Sequence, residues 1–270
     1  MPGLLVVGAP YVVEAFVPRF GVRAMGWWAS ALVLGGLVGR VGVALAAGVV
    51  GWRVAIGALT LLPLAAAISM RQGLPDVPPP ARSGRVLRSL LRPALLAVTV
   101  TGGALFFTFV GTFTYVTFRL EEPPFSLDDT TASLVFGLWV IGAFGPAVGR
   151  LAQRTGWRRL AAGSLLLATV GLSLTLVDSL VPVVLGLACI ATAMFAGYTA
   201  TQLGVGDVAR TDRGSASALY FSAYYSCGAL GAYVPGLAWE AWGWWGVSLL
   251  GFATLALAAV GLAGVRRATS

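Results

Sequence analysis

The chain has 270 residues, of which 58% are apolar and only 10% are charged, and its mean hydropathy is +0.87. A soluble domain of this size has about 45–50% apolar and about 25% charged residues. The apolar excess is too large for one soluble core, so the composition predicts a membrane protein and excludes a disordered chain, a collagen-like fibre and a disulfide scaffold.

The charged residues exclude further kinds of function. The chain has no His and no Lys, so all 18 basic residues are Arg, and the net charge is +8. Without His, the usual general base and metal ligand is missing, and we expect no enzyme, no cofactor and no metal site. In a chain this apolar, an excess of Arg is typical of membrane-protein loops, and no nucleic-acid partner is expected.

Apolar runs long enough to cross a membrane follow one another along the chain. A transmembrane helix needs about 20 mostly apolar residues. The runs are Gly3–Val17, which is short, and then Met25–Ala47, Val54–Met70, Pro93–Phe118, Thr131–Val148, Leu160–Val177, Val181–Val205, Ser215–Leu237 and Trp245–Val265. The sequence therefore predicts an all-α, polytopic membrane helical bundle with eight full spans after one partial span.

The arginines predict the orientation of this bundle. Fifteen of them lie in one set of alternate loops, whereas Arg53 and Arg119 lie in the other set and Arg40 lies within a span. Arg-rich loops are cytoplasmic, so the C-terminus is expected in the cytoplasm. Most acidic residues fall in the opposite loops. Among them, Ser126–Asp129 has the form of a capping box, and Asp178 is expected to cap the next span.

An internal repeat is indicated by a shift of 192 residues. The shift aligns Gly36–Gly39 with Gly228–Gly231, and it places the counterparts of Pro93–Val177 before residue 1. In a parallel repeat of two six-helix halves, the first half would lack three helices and part of a fourth, about 110 residues. We therefore predict a remnant N-terminal bundle over 1–70 (partial helix 4, helices 5 and 6), a cytoplasmic linker over 71–92 and a six-helix C-terminal bundle over 93–270.

Three stretches carry a resemblance to a known family. They are the loop Gly149–Arg159 between two spans, the stretch Tyr11–Arg19 followed by Arg23–Gly26, and Tyr220–Tyr225 followed by two glycines. The chain resembles the major facilitator superfamily (MFS) of transporters, in its bacterial drug:proton antiporter-like efflux branch, with an N-terminal truncation. Two features depart from that pattern, because Gln153 replaces an acid of the loop motif and Gly35–Arg40 lacks the usual Gly-Pro.

The resemblance implies a function and a location. It implies transport of a small molecule by alternating access in a bacterial inner membrane. An aromatic cavity suits efflux of an amphiphilic compound, with protons as the candidate coupling ion in the intact protein. The expected partners are therefore the lipid bilayer, a small-molecule substrate and protons. The substrate, the coupling ion, the direction of transport and the oligomeric state do not follow from the sequence.

The resemblance also implies site residues, since helices four, seven and ten of this family line the cavity. The cavity candidates are Tyr11, Phe106, Phe109, Thr112, Phe113, Tyr198, Thr199 and Gln202. Phe106, Phe109 and Phe113 recur at helical spacing and predict one aromatic face. The charges assigned to the membrane or to a gate are Glu14, Arg40 and Asp207.

Two further groups have mechanical roles in this interpretation. The cytoplasmic loop motif comprises Gly149, Arg150, Gln153, Arg154, Gly156, Arg158 and Arg159. The glycines expected to let helices approach closely are Gly35, Gly36, Gly39, Gly228 and Gly231. Such flat faces serve either rocking of the bundles or static packing, and the sequence leaves both open.

Two alternatives to an active carrier remain open at this point. One is an inactive transporter fragment, for which the DNA upstream of Met1 is expected to encode three to four more hydrophobic helices in frame. The other is a complete nine-span membrane protein with a structural or regulatory role.

Overall fold

The computed structural model describes residues 38–73, 92–144, 154–209 and 213–268, together with residues 8, 11, 12, 15, 16, 31, 35, 36, 148, 151 and 152. All regular structure among these residues is helical, which confirms the all-α prediction. A π-helical turn (Val38–Gly42) leads into α1 (Val43–Val50), followed by α2 (Trp52–Gly73), α3 (Pro93–Glu121), α4 (Asp129–Ser133), a 3₁₀ helix (Leu134–Phe144), α5 (Trp157–Leu174), α6 (Leu180–Val208) and a last helical segment, Arg213–Ala268.

The last segment consists of two helices. Gly243 has φ 57° and ψ −143°, a conformation that favours glycine, and it separates α7 (213–242) from α8 (244–268). The chain reverses direction there, because Gly246 lies against the backbone of Ala238. The sequence predicts this break, since its two last apolar runs end and begin on either side of Gly243.

Several described helices are suited to a bilayer by length and composition. Four segments are long and apolar enough to cross a membrane, namely Trp52–Gly73, Pro93–Glu121, Leu180–Val208 and Ser215–Gly264, the last of which contains the break at Gly243. Their lengths and hydropathy agree with the predicted membrane bundle. The predicted number of spans stays a prediction.

The run Thr131–Val148 differs from the single α-helix that hydropathy predicts. Here α4 has only five residues, and the 3₁₀ helix Leu134–Phe144 continues it. A 3₁₀ helix rises about 2.0 Å per residue and an α-helix about 1.5 Å, so the combined segment covers about 30 Å, which is the thickness of the hydrocarbon core. The more extended winding allows a short segment to cover that distance.

The chain divides into two compact units, residues 3–80 and 81–270. In the first unit, α1 packs on α2, and Ala55 is the buried residue of α2. In the second unit, α3 is the central helix and packs mainly on the segment 213–268 and on α6, while α5 packs on α6. Leu95, Leu105 and Leu120 are among the fully buried side chains along α3. The remnant and six-helix bundles expected for these regions stay predictions.

Glycines determine how closely the helices of the second unit approach. A Cβ atom added to Gly231 of α7 would lie 2.6 Å from the carbonyl oxygen of Phe107 in α3, and one added to Gly111 would lie 3.0 Å from Pro235. Gly171 of α5 and Gly186 of α6 face each other in the same way. At these points only glycine fits, because the nearest atoms include backbone of the neighbouring helix.

Candidate functional site

A cluster of aromatic rings lies where α3, α6 and α7 meet. Tyr224 is at its centre. Its ring stacks on Phe106 with 4.3 Å between centroids and a 4° angle between planes, and it lies 5.8 Å from Tyr198 and 5.6 Å from Tyr220. Tyr225 packs edge-on against both Phe106 and Tyr224. We call Phe106, Tyr198, Tyr220, Tyr224 and Tyr225 the tyrosine cluster.

The tyrosine cluster has a buried base and a more accessible rim. Tyr220 and Tyr224 are buried, because they lie one helical turn apart on the face of α7 that packs against α3. Phe106, Tyr198 and Tyr225 are only half-buried. The rim therefore offers ring surface that a small molecule could contact.

Few polar groups accompany these rings. The hydroxyls of Thr201 and Tyr220 form a hydrogen bond of 2.7 Å, and the hydroxyl of Tyr224 donates to Sδ of Met194, a weak acceptor, at 3.7 Å. Gln202 lies one turn after Tyr198 on the same face of α6. Apolar rings with a few placed hydroxyls are typical of small-molecule sites.

A second aromatic group joins α3 to the 3₁₀ helix and α6. The ring of Phe109 lies 4.8 Å from Phe113, 5.3 Å from Trp139 and 6.0 Å from Phe195. Phe109 and Phe113 are buried in this contact, and so is Thr112 between them. The structure thus divides the predicted aromatic face, with Phe106 in the tyrosine cluster and Phe109 and Phe113 in an interhelical packing contact.

The other cavity candidates are dispersed. The hydroxyl of Thr199 donates to the carbonyl of Phe195 in its own helix. Tyr11 lies in the unit 3–80 and makes an edge-on contact with Phe16, with 6.1 Å between centroids. The structure therefore brings together Phe106, Tyr198 and Gln202 of the predicted set, with Thr199 in the turn after Tyr198.

The structure describes the three predicted membrane or gate charges to different extents. Asp207 is exposed at the end of α6, where its carboxylate accepts a 3.2 Å hydrogen bond from the indole of Trp157 at the start of α5. Arg40 lies in the π-helical turn, and its side chain is outside the described part of the structure. Glu14 lies outside the described residues.

The loop motif is described in its second half. Gly149, Arg150 and Gln153 lie outside the described residues, whereas Arg154 and Arg159 are exposed. Gly156 has φ +82° and immediately precedes α5, so its glycine conformation sets the start of the helix. The guanidinium of Arg158 lies 5.3 Å from the ring centroid of Trp157.

The predicted packing glycines differ between the two units. Gly228 lies directly against the ring of Phe106, and Gly231 lies against the backbone of Phe107. Added Cβ atoms at Gly35 and Gly39 would meet nothing within 4 Å, and Gly36 is half-buried. In the second unit these glycines pack against α3, and the shift of 192 residues gives α3 no counterpart within the chain. The two sets of glycines therefore cannot be expected to have the same neighbours, and the repeat stays a prediction.

Sequence reasoning missed an ion pair at the far end of α3. Nη2 of Arg119 lies 3.1 Å from Oδ1 of Asp178 and 3.3 Å from the carbonyl oxygen of Val177. The guanidinium also lies 5.2 Å from the ring centroid of Trp244. The indole of Trp244 in turn donates to Thr175 at 3.2 Å. The one signal in the sequence was that Arg119 and Asp178 occupy loops of the same set.

The expected cap of α4 is also displaced. Ser126 does not start the helix; instead Asp128 is the N-cap, and its carboxylate accepts hydrogen bonds from the amide of Thr131 at 3.0 Å and from its hydroxyl at 2.6 Å. Both bonds favour the charged carboxylate and hold the pKa of Asp128 below its usual range. Asp178, expected to cap α6, forms the ion pair with Arg119, and the N-cap of α6 is Ser179.

Comparison with known proteins decides the family. Residues 1–232 match the family model described as Major Facilitator Superfamily. The chain belongs to the Major Facilitator Superfamily. This confirms the predicted resemblance at the level of the superfamily, and with the apolar helices it makes the chain an integral membrane protein.

Several curated relatives are similar over most of the chain. The uncharacterized MFS-type transporter YybF of Bacillus subtilis is 26% identical over 92% of this chain and 63% of its own length. An uncharacterized transporter of Buchnera aphidicola is 25% identical over 92% of this chain and 64% of its own length. The inner membrane transport protein YnfM of Escherichia coli is 26% identical over 98% of this chain and 66% of its own length. The chain thus spans slightly less than two thirds of these relatives.

Proposed function

We propose that the protein exports a small amphiphilic molecule by alternating access, coupled to protons. In this proposal the present chain supplies the C-terminal bundle and part of the N-terminal bundle of the carrier in a bacterial inner membrane. The observation that carries the proposal is the tyrosine cluster, with its half-buried rim of Phe106, Tyr198 and Tyr225. Membership of the family supports the transport mechanism.

The chemistry of the rim favours amphiphiles over sugars or phosphates. Ring faces stack on flat aromatic molecules and attract cations. The polar groups near the rim are the hydroxyls of Tyr198 and Tyr225 and the amide of Gln202, which can orient a ligand without binding a strongly hydrated one. A sugar or phosphate would require more hydrogen-bond donors than these residues supply.

The packing of α3 on α7 links the position of these two helices to the cluster. Gly228 and Gly231 allow Phe106 and Phe107 of α3 to approach α7 closely, with the Phe106 ring directly against Gly228. The rings of Phe106 and Tyr224 stack across the same contact. A change in the α3–α7 contact would therefore alter the rim.

The test is accumulation of ethidium, a planar amphiphilic cation, in the native bacterium. Deletion of the gene is expected to raise accumulation, and the intact gene is expected to restore efflux. Tyr225→Leu removes a rim ring and is expected to fail to restore it, whereas Tyr233→Leu, at a 67% exposed position of the same helix, is expected to succeed. Accumulation that is unchanged by deletion would overturn the proposal, and restored efflux with Tyr225→Leu would overturn the role of the rim.

Proton coupling has a separate test. A protonophore that dissipates the proton gradient is expected to abolish ethidium efflux in the complemented strain within minutes. Efflux that continues at the same rate would contradict coupling to protons while leaving transport itself intact.

An inactive fragment is the second candidate, favoured by the extent of the match to the relatives. If this candidate is correct, proteoliposomes that contain only the purified 270-residue chain are expected to show no efflux, because part of the carrier would be missing. Ethidium movement above that of empty liposomes would contradict the fragment hypothesis.

A further inference from the structure

An apolar groove lies between α5 and α8, separate from the tyrosine cluster. Its volume is about 490 Å³. From α5 it is lined by Ala162, Leu165, Leu166 and Thr169, and from α8 by six residues between Phe252 and Ala263. Thr169 is the one polar residue among those that line it, and its hydroxyl donates to the carbonyl of Leu165 in its own helix. The groove therefore suits a hydrocarbon chain.

On both helices the stripe of lining residues leads to a pair of arginines. In α5, Arg158 and Arg159 precede Ala162 by four and three positions and so occupy the same helix face one turn earlier. In α8, positions 266 and 267 follow Ala263 by three and four positions, and both are Arg. Each helix thus carries two basic residues in register with the groove.

The antiparallel packing of the two helices places Arg158 and Arg159 at one end of the groove. At the opposite end, Trp244 at the start of α8 donates to Thr175, just after α5. About two turns further along α8, Gly251 lies against the side chain of Leu172, which is about one turn before Thr175. If this pairing is followed along both helices, Arg158 is level with residues near 265. Arg158 and Arg159 therefore put two positive charges at one mouth of an apolar groove.

We propose that this groove binds an anionic glycerophospholipid, with an acyl chain along the α5–α8 groove and the phosphate at Arg158 and Arg159. Basic pockets between membrane helices attract anionic headgroups, and arginine pairs well with phosphate. A second copy of the chain is a poorer occupant. Related by a two-fold axis along the membrane normal, it would bring the same set of arginines against the first.

Native mass spectrometry of the purified chain tests the headgroup preference. The chain is reconstituted with equal amounts of dioleoyl phosphatidylglycerol and dioleoyl phosphatidylcholine, which share acyl chains and differ in headgroup charge, and is then stripped with detergent. Retention of the anionic lipid is expected to exceed that of the zwitterionic lipid by about tenfold. Equal retention of the two lipids would overturn the proposal.

Two matched pairs of variants locate the site. Arg158→Gln with Arg159→Gln is expected to bring the retention ratio close to one. Arg53→Gln with Arg71→Gln removes the same charge from exposed positions of α2 and is expected to leave the ratio unchanged. If both double variants lose the preference equally, the preference reflects net charge and the site is overturned.

The groove itself is tested by filling it. Ala259→Phe places a ring in the groove from an exposed position that does not disturb the core, and it is expected to reduce retention of both lipids. Ala253→Phe, also exposed on α8 but outside the lining, is the control and is expected to retain lipid normally. Equal retention by these two variants would overturn the assignment of the acyl chain to the groove.

Discussion

The buried guanidinium of Arg119 and the exposed carboxylate of Asp178 form an ion pair of 3.1 Å between residues 59 positions apart. The side chain of Arg119 is only 9% exposed, whereas that of Asp178 is 74% exposed. The pair connects the end of α3 to the segment between α5 and α6, and Trp244 adds the start of α8 to the same contact. It accounts for an arginine in a set of loops that otherwise holds few basic residues.

Asp178→Asn is expected to destabilise the second unit by about 1 kcal/mol, because it leaves a buried arginine without its counter-ion while the exposed carboxylate contributes little by itself. The measurement is the apparent unfolding temperature in detergent, with Glu240→Gln as a control at an exposed acidic position. An unfolding temperature for Asp178→Asn that matches the control would show that the ion pair contributes nothing to stability.

Gly231→Ala is expected to destabilise the packing of α3 on α7 by about 1–3 kcal/mol, as overpacking against an immobile neighbour does. The added Cβ would lie 2.6 Å from the carbonyl oxygen of Phe107 and 2.9 Å from its Cα, and backbone atoms cannot rotate away. Gly163→Ala, where a Cβ meets nothing within 4 Å, is expected to be neutral or slightly stabilising. Thermal unfolding of the two variants side by side decides, and equal stability would contradict the close contact.

Tyr220→Phe is expected to cost about 1 kcal/mol of stability, because it removes the buried hydrogen bond to Thr201. Thr201 keeps its second bond, to the carbonyl of Gly197, so no buried hydroxyl is left unpaired by the change. Chemical denaturation in detergent measures the difference, and Tyr233→Phe at an exposed position is the control. A larger loss than about 2 kcal/mol would indicate that the hydroxyl has further partners.

The start of α4 is expected to lose order as the pH falls. Hydrogen bonds from Thr131 hold the pKa of Asp128 below its usual value, so the stabilising effect of the cap is present above the unfolded pKa of about 3.9 and is lost as the pH falls through the lower folded pKa. Hydrogen exchange of Asp129–Ser133 is expected to accelerate below that range, after correction for the intrinsic rate. Asp128→Asn, which caps without titrating, is expected to abolish this pH dependence.

The hydropathy of the sequence predicts most of the helices of this chain, but it does not predict the candidate site. Apolar runs predict α3, α6 and the break at Gly243, because a bilayer requires long apolar helices whatever their partners are. The apolar runs did not predict the 3₁₀ winding of Leu134–Phe144. Nearly every residue in this run is apolar, so its pattern has no helical period and is compatible with an α-helix or a 3₁₀ helix. The capping-box pattern placed the N-cap of α4 at Ser126 rather than at Asp128, because several residues in this stretch have a side chain that can cap a helix.

In the candidate site, residue spacing predicts which side chains share a helix face but not which residues they contact. Phe106, Phe109 and Phe113 share one face of α3 by spacing, yet Phe106 stacks on Tyr224 while Phe109 and Phe113 pack on Trp139. Spacing within a helix fixes the direction of a side chain but not the helix that lies opposite it at each level.

The sequence by itself determined the membrane class, the helical character of the chain and its family, because these follow from composition, apolar runs and a short loop motif. The tertiary structure alone decided that Tyr224 meets Phe106, that Arg119 meets Asp178 and that α5 and α8 enclose a groove between them. Such contacts depend on the rotation and depth of each helix relative to its neighbours, which are set by interdigitation of side chains far apart in the chain.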